Sequence, residues 1–229
     1  WLAGKGVEMM LAIGHWTAGL SGAVQTVASA PAAALPVAFL GILFICLWRG
    51  RLRWLGLPLA AAVLIWPRPA APDLWIGDGG TNAAWRQVEA AVVVRPGVRQ
   101  FAADLWSRRR GLELTPKPDE GWTCKRSFCA PETKQAGPVA LWWGKRAPTA
   151  EQLDILCRSA EVVSSRAELA SLPTSCAGRL VLDGVDYGRG GSLELWRDGT
   201  GWKAVWAADV RGRRPWTRQA DPDFSDSGG

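Results

Sequence analysis

Two uncharged apolar runs with a basic turn between them constrain this chain more than any other feature. Residues 32–48 and residues 54–66 contain no charged side chain, and Arg49, Arg51 and Arg53 lie in the turn that joins them. A bilayer accepts two such runs as helices and leaves the arginines at one interface. We therefore predict a transmembrane helical hairpin. The alternative is a helical hairpin buried in a soluble protein, because the second run is short for a membrane span.

Residues 1–28 form a third helical candidate. Small residues recur at every fourth position from Gly14 to Gly22, which suits close packing against another helix. Glu8 and His15 fall on roughly one face, so we expect an amphipathic helix that is tilted in the bilayer or lies in its interface. His15 is the only histidine of the chain, and a proton or metal site shared with Glu8 is the alternative to a polar residue facing neighbouring helices.

The arginines of the turn also predict an orientation. Positive charge favours the cytoplasmic side, so Arg49, Arg51 and Arg53 place the turn in the cytoplasm and the following domain in the periplasm or outside the cell. Because the sequence begins at Trp1, we expect it to be part of a longer protein. We divide it into membrane helices at 1–72, a folded domain at 73–218 and a disordered tail at 219–229.

Short strand-like runs alternate with two helical stretches in the predicted folded domain. The strand-like runs are 73–76, 90–94, 122–130, 139–143, 161–164, 179–182, 192–196 and 201–206. The helical stretches are 97–110 and 149–158, the second of which starts at a capping-box pattern of Thr149 and Gln152. Asp198 and Gly199 indicate a hairpin between the last two strands. This order predicts an α/β or α+β domain.

Four cysteines lie in the folded domain, and a fifth, Cys46, lies in the first apolar run. In an oxidising compartment four cysteines allow three pairings. We favour the pairs Cys124–Cys129 and Cys157–Cys176, a preference that depends on the predicted orientation. A zinc site is the alternative, although the spacing is loose and the domain offers no histidine as a further ligand.

An amphipathic helix with HWTAGLSGAV, an apolar hairpin, the run WIGDGG and a small domain ending in RRPW resemble the C-terminal region of the ComEC family. Members of this family are inner-membrane DNA-uptake channels of natural competence. The resemblance implies a metallo-β-lactamase-like domain after the membrane helices. It also implies several partners: transported single-stranded DNA, the lipid bilayer, an N-terminal channel domain and other proteins of the competence machinery.

The chain departs from this family at the residues that would hold metal. The segment from Ile76 to Gly79 resembles a reduced version of the family's Gly-Gln-Gly-Asp-Ala turn, and Ser164 and Ser165 stand where the paired histidines would be. Residues 67–229 contain no histidine. A two-metal hydrolase needs a histidine and aspartate cluster. We therefore expect no bound metal, no cofactor and no catalysis.

Carboxylates could offer a weak magnesium site instead. The candidates are Asp78, Asp183 and Asp186. The last two are three residues apart in LDGVDYG, a pattern that we interpret as a turn.

Basic clusters beside tryptophans are candidates for contact with nucleic acid, because arginines bind phosphates and indole rings stack on bases. The candidates are Arg108, Arg109 and Arg110 near Trp106, and Arg211, Arg213 and Arg214 near Trp216. The alternative is a solvated basic surface without a ligand.

The resemblance implies that the chain is the C-terminal part of a channel protein that imports single-stranded DNA, with a non-catalytic periplasmic domain. One alternative is a membrane-tethered, metal-dependent nuclease or other hydrolase. Another is a periplasmic domain of a transporter unrelated to DNA, which binds a partner through its tryptophan-rich surface.

Overall fold

The structure, a computed structural model, describes residues 1–20, 27–88, 90–133, 135–199 and 201–212. Three helices come first: α1 (Leu2–Ala18), α2 (Ala34–Leu47) and α3 (Gly56–Ile65), with a short 3₁₀ turn (Arg51–Leu55) before α3. The sequence predicted all three helices. The basis for α2 and α3 was two uncharged apolar runs that are longer than a typical strand, and the basis for α1 was the spacing of its small residues.

The helices α2 and α3 form a hairpin that packs through two glycines. A Cβ atom on Gly41 would clash with the backbone nitrogen of Ala60, and one on Gly56 would lie 2.5 Å from the carbonyl oxygen of Gly41. Only glycine allows two backbones to approach so closely. Large apolar side chains of both helices, among them Phe39 and Leu64, are exposed.

The predicted transmembrane hairpin is wrong. The α2 helix has 14 residues and α3 has 10, which gives lengths of about 21 Å and about 15 Å against a hydrocarbon core of about 30 Å. None of the helices in the described ranges is long and apolar enough to cross a membrane. The reason is local: α2 stops before Gly50, whose φ is 89°, and α3 stops before Pro67.

The remaining elements follow Asp73 in the order β1 (Leu74–Ile76), β2 (Ala83–Gln87), β3 (Ala90–Val93), α4 (Gln100–Arg110), β4 (Glu113–Pro116), β5 (Trp122–Cys124), β6 (Phe128–Pro131), β7 (Val139–Trp142), α5 (Ala150–Ser159), β8 (Val162–Ser165), β9 (Leu180–Leu182), α6 (Gly184–Gly190), β10 (Leu193–Asp198), β11 (Gly201–Trp206) and α7 (Ala207–Arg211). The capping box of Thr149 and Gln152 at the start of α5 is confirmed. So is the hairpin of β10 and β11, in which Asp198 pairs with Gly201.

The strands form two mixed sheets. Sheet A has the order β11-β10-β1-β2-β3-β4, antiparallel except for the parallel pair β3 and β4. Sheet B has the order β5-β6-β7-β8-β9, antiparallel at first and parallel from β7 to β9. Parallel neighbours need a crossover, and α4 and α5 lie in the crossovers from β3 to β4 and from β7 to β8.

The two sheets pack face to face, and one helix covers each outer face. The central core joins Leu74 and Trp85 of sheet A to Leu141 and Val162 of sheet B. On the outer face of sheet A, α4 buries Ala103 and Trp106, and α5 buries Leu153, Leu156 and Cys157 against sheet B.

The predicted fold class, a membrane segment with a transmembrane hairpin followed by a metallo-β-lactamase-like domain, is therefore wrong. The chain is an α+β fold with two mixed sheets, and its hairpin helices are short. Hydropathy measured how apolar the two runs are, but the length of each helix depends on where backbone geometry interrupts it.

Candidate functional site

A basic cleft opens at the edge of the sandwich where the carboxyl ends of β1, β3, β7 and β8 meet. Its volume is about 360 Å³, and it is lined by Gly79, Thr81, Arg95, Val98, Arg99, Trp143 and Arg166. The cleft therefore takes side chains from both sheets. Clefts at the carboxyl ends of strands are frequent ligand sites in sheets with helical crossovers.

One buried side chain shapes the sheet A side of this cleft. Asn82 is completely buried, and its Nδ2 donates to the carbonyl oxygens of Arg95 (3.1 Å) and Val98 (2.6 Å). Its Oδ1 accepts from the backbone N–H groups of Ala83 (2.9 Å) and Arg95 (3.0 Å). Asn82 therefore ties the start of β2 to the loop that presents Arg95 and Arg99.

Arg95 is the most enclosed cation of the cleft. Its Nη1 donates to the carbonyl oxygen of Thr81 at 2.8 Å, and its guanidinium carbon lies 3.8 Å from the ring centroid of Trp143. Burial lowers the pKa of the Arg95 guanidinium, but arginine stays charged at neutral pH. The guanidinium thus has a fixed orientation, with donors left over for an anion.

The position of Trp143 depends on a disulfide-bonded hairpin. Its indole Nε1 donates to the carbonyl oxygen of Arg126 at 2.9 Å, and its backbone N–H donates to Ser127 at 2.9 Å. Both acceptors lie in the loop between β5 and β6, where Cys124 and Cys129 are bonded across the strands. The disulfide therefore supports one wall of the cleft.

The other two arginines lie at the mouth. The side chain of Arg99 is half exposed, and its Nη2 lies 4.0 Å from Oδ2 of Asp78. Arg166 directly follows β8 and is exposed. Within the described ranges, no carboxylate oxygen lies within 4.0 Å of the guanidinium of Arg95 or Arg166. Three guanidinium groups thus face one weakly engaged carboxylate, an arrangement that favours an anionic ligand.

Tyr187 fills the space behind the turn that follows β1. Its hydroxyl shares a 2.7 Å hydrogen bond with Ser164 Oγ, which also donates to the carbonyl oxygen of Gly80 at 3.2 Å. A Cβ atom on Gly80 would lie 2.5 Å from the Tyr187 ring. Burial raises the pKa of the Tyr187 phenol far above its ordinary value, so it stays neutral. Ser165 Oγ is also committed, donating to the carbonyl oxygen of Ala167 at 2.8 Å.

The three carboxylates that the sequence offered as weak magnesium ligands have different interactions in the structure. Asp183 and Asp186 do not form a turn, as the sequence suggested, but the capping box that starts α6. The Asp183 carboxylate accepts from the backbone N–H groups of Val185 (2.9 Å) and Leu169 (3.0 Å), whereas Asp78 faces Arg99. In the part of the chain that the structure describes, no group of three or more His, Cys, Asp or Glu residues is placed to hold a metal.

The predicted nucleic-acid residues have different environments. Trp106 is buried and donates from Nε1 to Glu194 at 2.8 Å; Arg110 donates from Nε to the same carboxylate at 2.9 Å. These two side chains therefore join α4 to β10 and are not free to bind a ligand. Arg108 and Arg109 are exposed on α4.

Arg211 is exposed on α7, and its Nε donates to the carbonyl oxygen of Ala207 at 3.2 Å. The remaining candidates, Arg213, Arg214 and Trp216, lie outside the described residues, as does the tail at 219–229.

The three arginines used to predict orientation, Arg49, Arg51 and Arg53, are exposed at the turn between α2 and α3. The structure joins Cys124 to Cys129 and Cys157 to Cys176, with Cα atoms 4.0 Å and 4.9 Å apart. These are the two pairs favoured from the sequence, whereas Cys46 is free.

The sequence analysis missed the residues that form the cleft. Arg95, Trp143 and Arg166 each directly follow a run of buried residues that ends a strand. That position was the available signal, because the residue after the carboxyl end of a buried strand lies at the edge of the sheet. Asn82 gave no such signal, since its partners are backbone groups more than ten residues away.

Comparison of the chain with protein-family models, with curated proteins and with solved structures gives no match in any of the three.

Proposed function

We propose that this chain is the C-terminal part of a DNA-uptake channel protein of the ComEC type. In this proposal its two-sheet domain binds single-stranded DNA without cleaving it, and the basic cleft holds the phosphodiester backbone. The observation that carries the proposal is the convergence of Arg95, Arg99 and Arg166 on one cleft from two separate segments, the loop before α4 and the end of β8. A phosphate group carries a delocalised negative charge that the forked donors of arginine match.

The small size of the cleft favours a single strand over a duplex. Its volume of about 360 Å³ suits a small group such as one phosphate with part of its nucleotide. A flexible strand can bend a phosphate into this space, whereas the stiff backbone of a duplex would meet the rim first. Arginine beside an aromatic ring is also the combination that proteins use to hold single strands.

The serines behind the cleft support a non-catalytic role. Ser164 is bonded to Tyr187 and to the carbonyl oxygen of Gly80, and Ser165 donates to the carbonyl oxygen of Ala167. The resemblance would require metal-binding histidines at these two serines. A hydrolase of that type generates its nucleophile on a metal. In the proposal, cleavage of the second strand belongs to another protein of the uptake machinery.

Two disulfides support an extracytoplasmic location for this domain. Disulfides persist in the periplasm and are rare in the cytosol, and four of the five cysteines are paired. The proposed location is the outer side of the inner membrane, beside the rest of the channel and other competence proteins.

Fluorescence anisotropy with the full chain tests the proposal. An oligothymidylate of about 20 nucleotides should bind, and a duplex of equal length should bind more weakly. Substitution Arg166→Gln should weaken binding about tenfold and lower the slope of log affinity against log salt by about 0.7. Arg158→Gln, an exposed arginine on α5, is the matched control and should bind like the wild type.

Two results would overturn the proposal. One is no measurable single-strand binding at about 50 mM salt, where phosphate contacts are strongest. The other is robust cleavage of single-stranded or duplex DNA by the full chain with manganese or zinc, which would indicate a hydrolase.

A further inference from the structure

The outward face of α4 combines exposed apolar and basic side chains. Phe101 is 82% exposed and Leu105 is 47% exposed, and Arg108 and Arg109 are exposed one turn further along. At 3.6 residues per turn Phe101, Leu105 and Arg108 form one stripe, while Ala103 and Trp106 face sheet A. An aromatic ring as exposed as Phe101 gains nothing from the core of its own domain.

The helix that carries this stripe starts at the basic cleft. Arg99 lines the cleft and directly precedes α4, so α4 begins at the cleft. From Arg99 to Arg108 the helix rises about 14 Å. Along the axis of α4, Phe101 is therefore nearer to the cleft than Arg108 and Arg109 are.

The charges of the stripe are also unmatched. Arg110 is neutralised by Glu194, but no carboxylate oxygen within the described ranges lies within 4.0 Å of the guanidinium of Arg108 or Arg109. Arginines in a last turn do stabilise a helix through its dipole. That effect does not explain the exposed Phe101. Asp104 is the one acidic residue of α4, and it lies beside the stripe.

We propose that single-stranded DNA leaving the cleft runs along α4, with one base stacked on Phe101 and the following phosphates bound by Arg108 and Arg109. This inference rests on the proposed function, because it extends the same ligand beyond the cleft. It predicts that the cleft binds short and long strands alike, whereas α4 contributes only when the strand is long enough to reach it.

The test compares a thymidine trinucleotide with an oligothymidylate of about 20 nucleotides on the full chain. Phe101→Ala should weaken binding of the long strand about tenfold, because stacking on an aromatic ring contributes that much per base. The double substitution Arg108→Gln and Arg109→Gln should lower the salt slope for the long strand by about 1.4. Neither change should alter trinucleotide binding.

The controls are chosen on α5, which covers the other sheet. Ile155→Ala removes an apolar side chain that is 50% exposed, and Arg158→Gln removes an exposed arginine; both variants should bind like the wild type. Asp104→Asn should tighten binding of the long strand only, since it removes the negative charge beside the stripe.

The outcomes separate this inference from the proposed function. If the α4 variants bind the long strand normally while Arg166→Gln is impaired, the α4 path is wrong and the cleft proposal stands. If Arg166→Gln also binds both strands normally, the proposed function itself is wrong. Equal losses for the trinucleotide and the long strand in the α4 variants would also overturn the path, because they would indicate a disturbed cleft.

Discussion

The guanidinium of Arg95 lies over the indole of Trp143, with 3.8 Å between the guanidinium carbon and the ring centroid. Arg95 follows β3 of sheet A, and Trp143 follows β7 of sheet B. This contact therefore joins the two sheets at the edge where the cleft opens. In the proposed function, the orientation of the bound phosphate depends on both sheets, because sheet A positions Arg95 and sheet B positions Trp143.

Removal of the indole should weaken DNA binding more than it weakens the fold. Trp143→Leu eliminates the cation–π contact, worth about 0.5–2 kcal/mol, and leaves Arg95 free to reorient. We expect affinity for the single strand to fall about three- to tenfold. Trp143→Phe keeps a ring and should bind almost normally. Anisotropy titrations measure both variants; equal affinities for Leu and Phe would contradict the role given to the ring.

Loss of the Cys124–Cys129 bond should also affect the cleft. The double substitution of both cysteines by serine loosens the loop that accepts two hydrogen bonds from Trp143. We expect a stability loss of about 2 kcal/mol together with weaker single-strand binding. The same double substitution at Cys157 and Cys176 should lower stability by about 3 kcal/mol without weakening binding. Urea unfolding and anisotropy distinguish the two cases, and unchanged binding in the first variant would count against the support of Trp143 by this disulfide.

Asn82 should be the most sensitive polar residue of the domain. Asn82→Ala removes four hydrogen bonds of a buried side chain, three of them to the loop of Arg95 and Val98, and leaves the N–H of Arg95 without its acceptor. Because unsatisfied buried groups are costly, we expect a loss of about 2–3 kcal/mol in the free energy of unfolding. Urea denaturation measures this loss, and Asn82→Asp tests whether the acceptor oxygen alone is sufficient. A loss below about 0.5 kcal/mol, typical of surface changes, would show that the loop does not depend on Asn82.

Asp73 should make the free energy of unfolding depend on pH in the acid range. Burial raises the pKa of its carboxyl, but the bonds from the Arg197 N–H and the Arg86 guanidinium lower that pKa by more, so the net shift is downward. The stabilisation is therefore complete above the unfolded pKa of about 3.9 and is lost as the pH falls through the lower folded value.

The variant Asp73→Asn should accordingly be less stable than the wild type by about 1–2 kcal/mol at pH 7. The difference should shrink below about pH 4. Thermal unfolding over a pH series measures it. A difference that is constant with pH would show that the carboxylate charge contributes nothing.

The local sequence predicted most of the individual helices and strands, because the residues that start or form each of them are close together in the chain. Short runs that contain valine located β3, β7 and β8, and the Thr149 capping box located the start of α5. The strand β2 was missed because AAWRQ carries no β-branched residue, and its position depends on pairing with β1 and β3. Asp183 was interpreted as part of a turn, although its spacing to Asp186 serves equally well to start a helix.

Sequence by itself determined which segments are apolar, where charge accumulates and which cysteines are close enough along the chain to pair. Those properties depend on composition and spacing. Only the tertiary structure decided which charges are available. Arg110 is neutralised by Glu194, 84 residues away along the chain, whereas Arg95, Arg99 and Arg166 meet at one edge and retain unused donors. The same structure decided that the two apolar runs make short helices, because the length of a helix depends on where its backbone geometry ends it and not on its hydropathy.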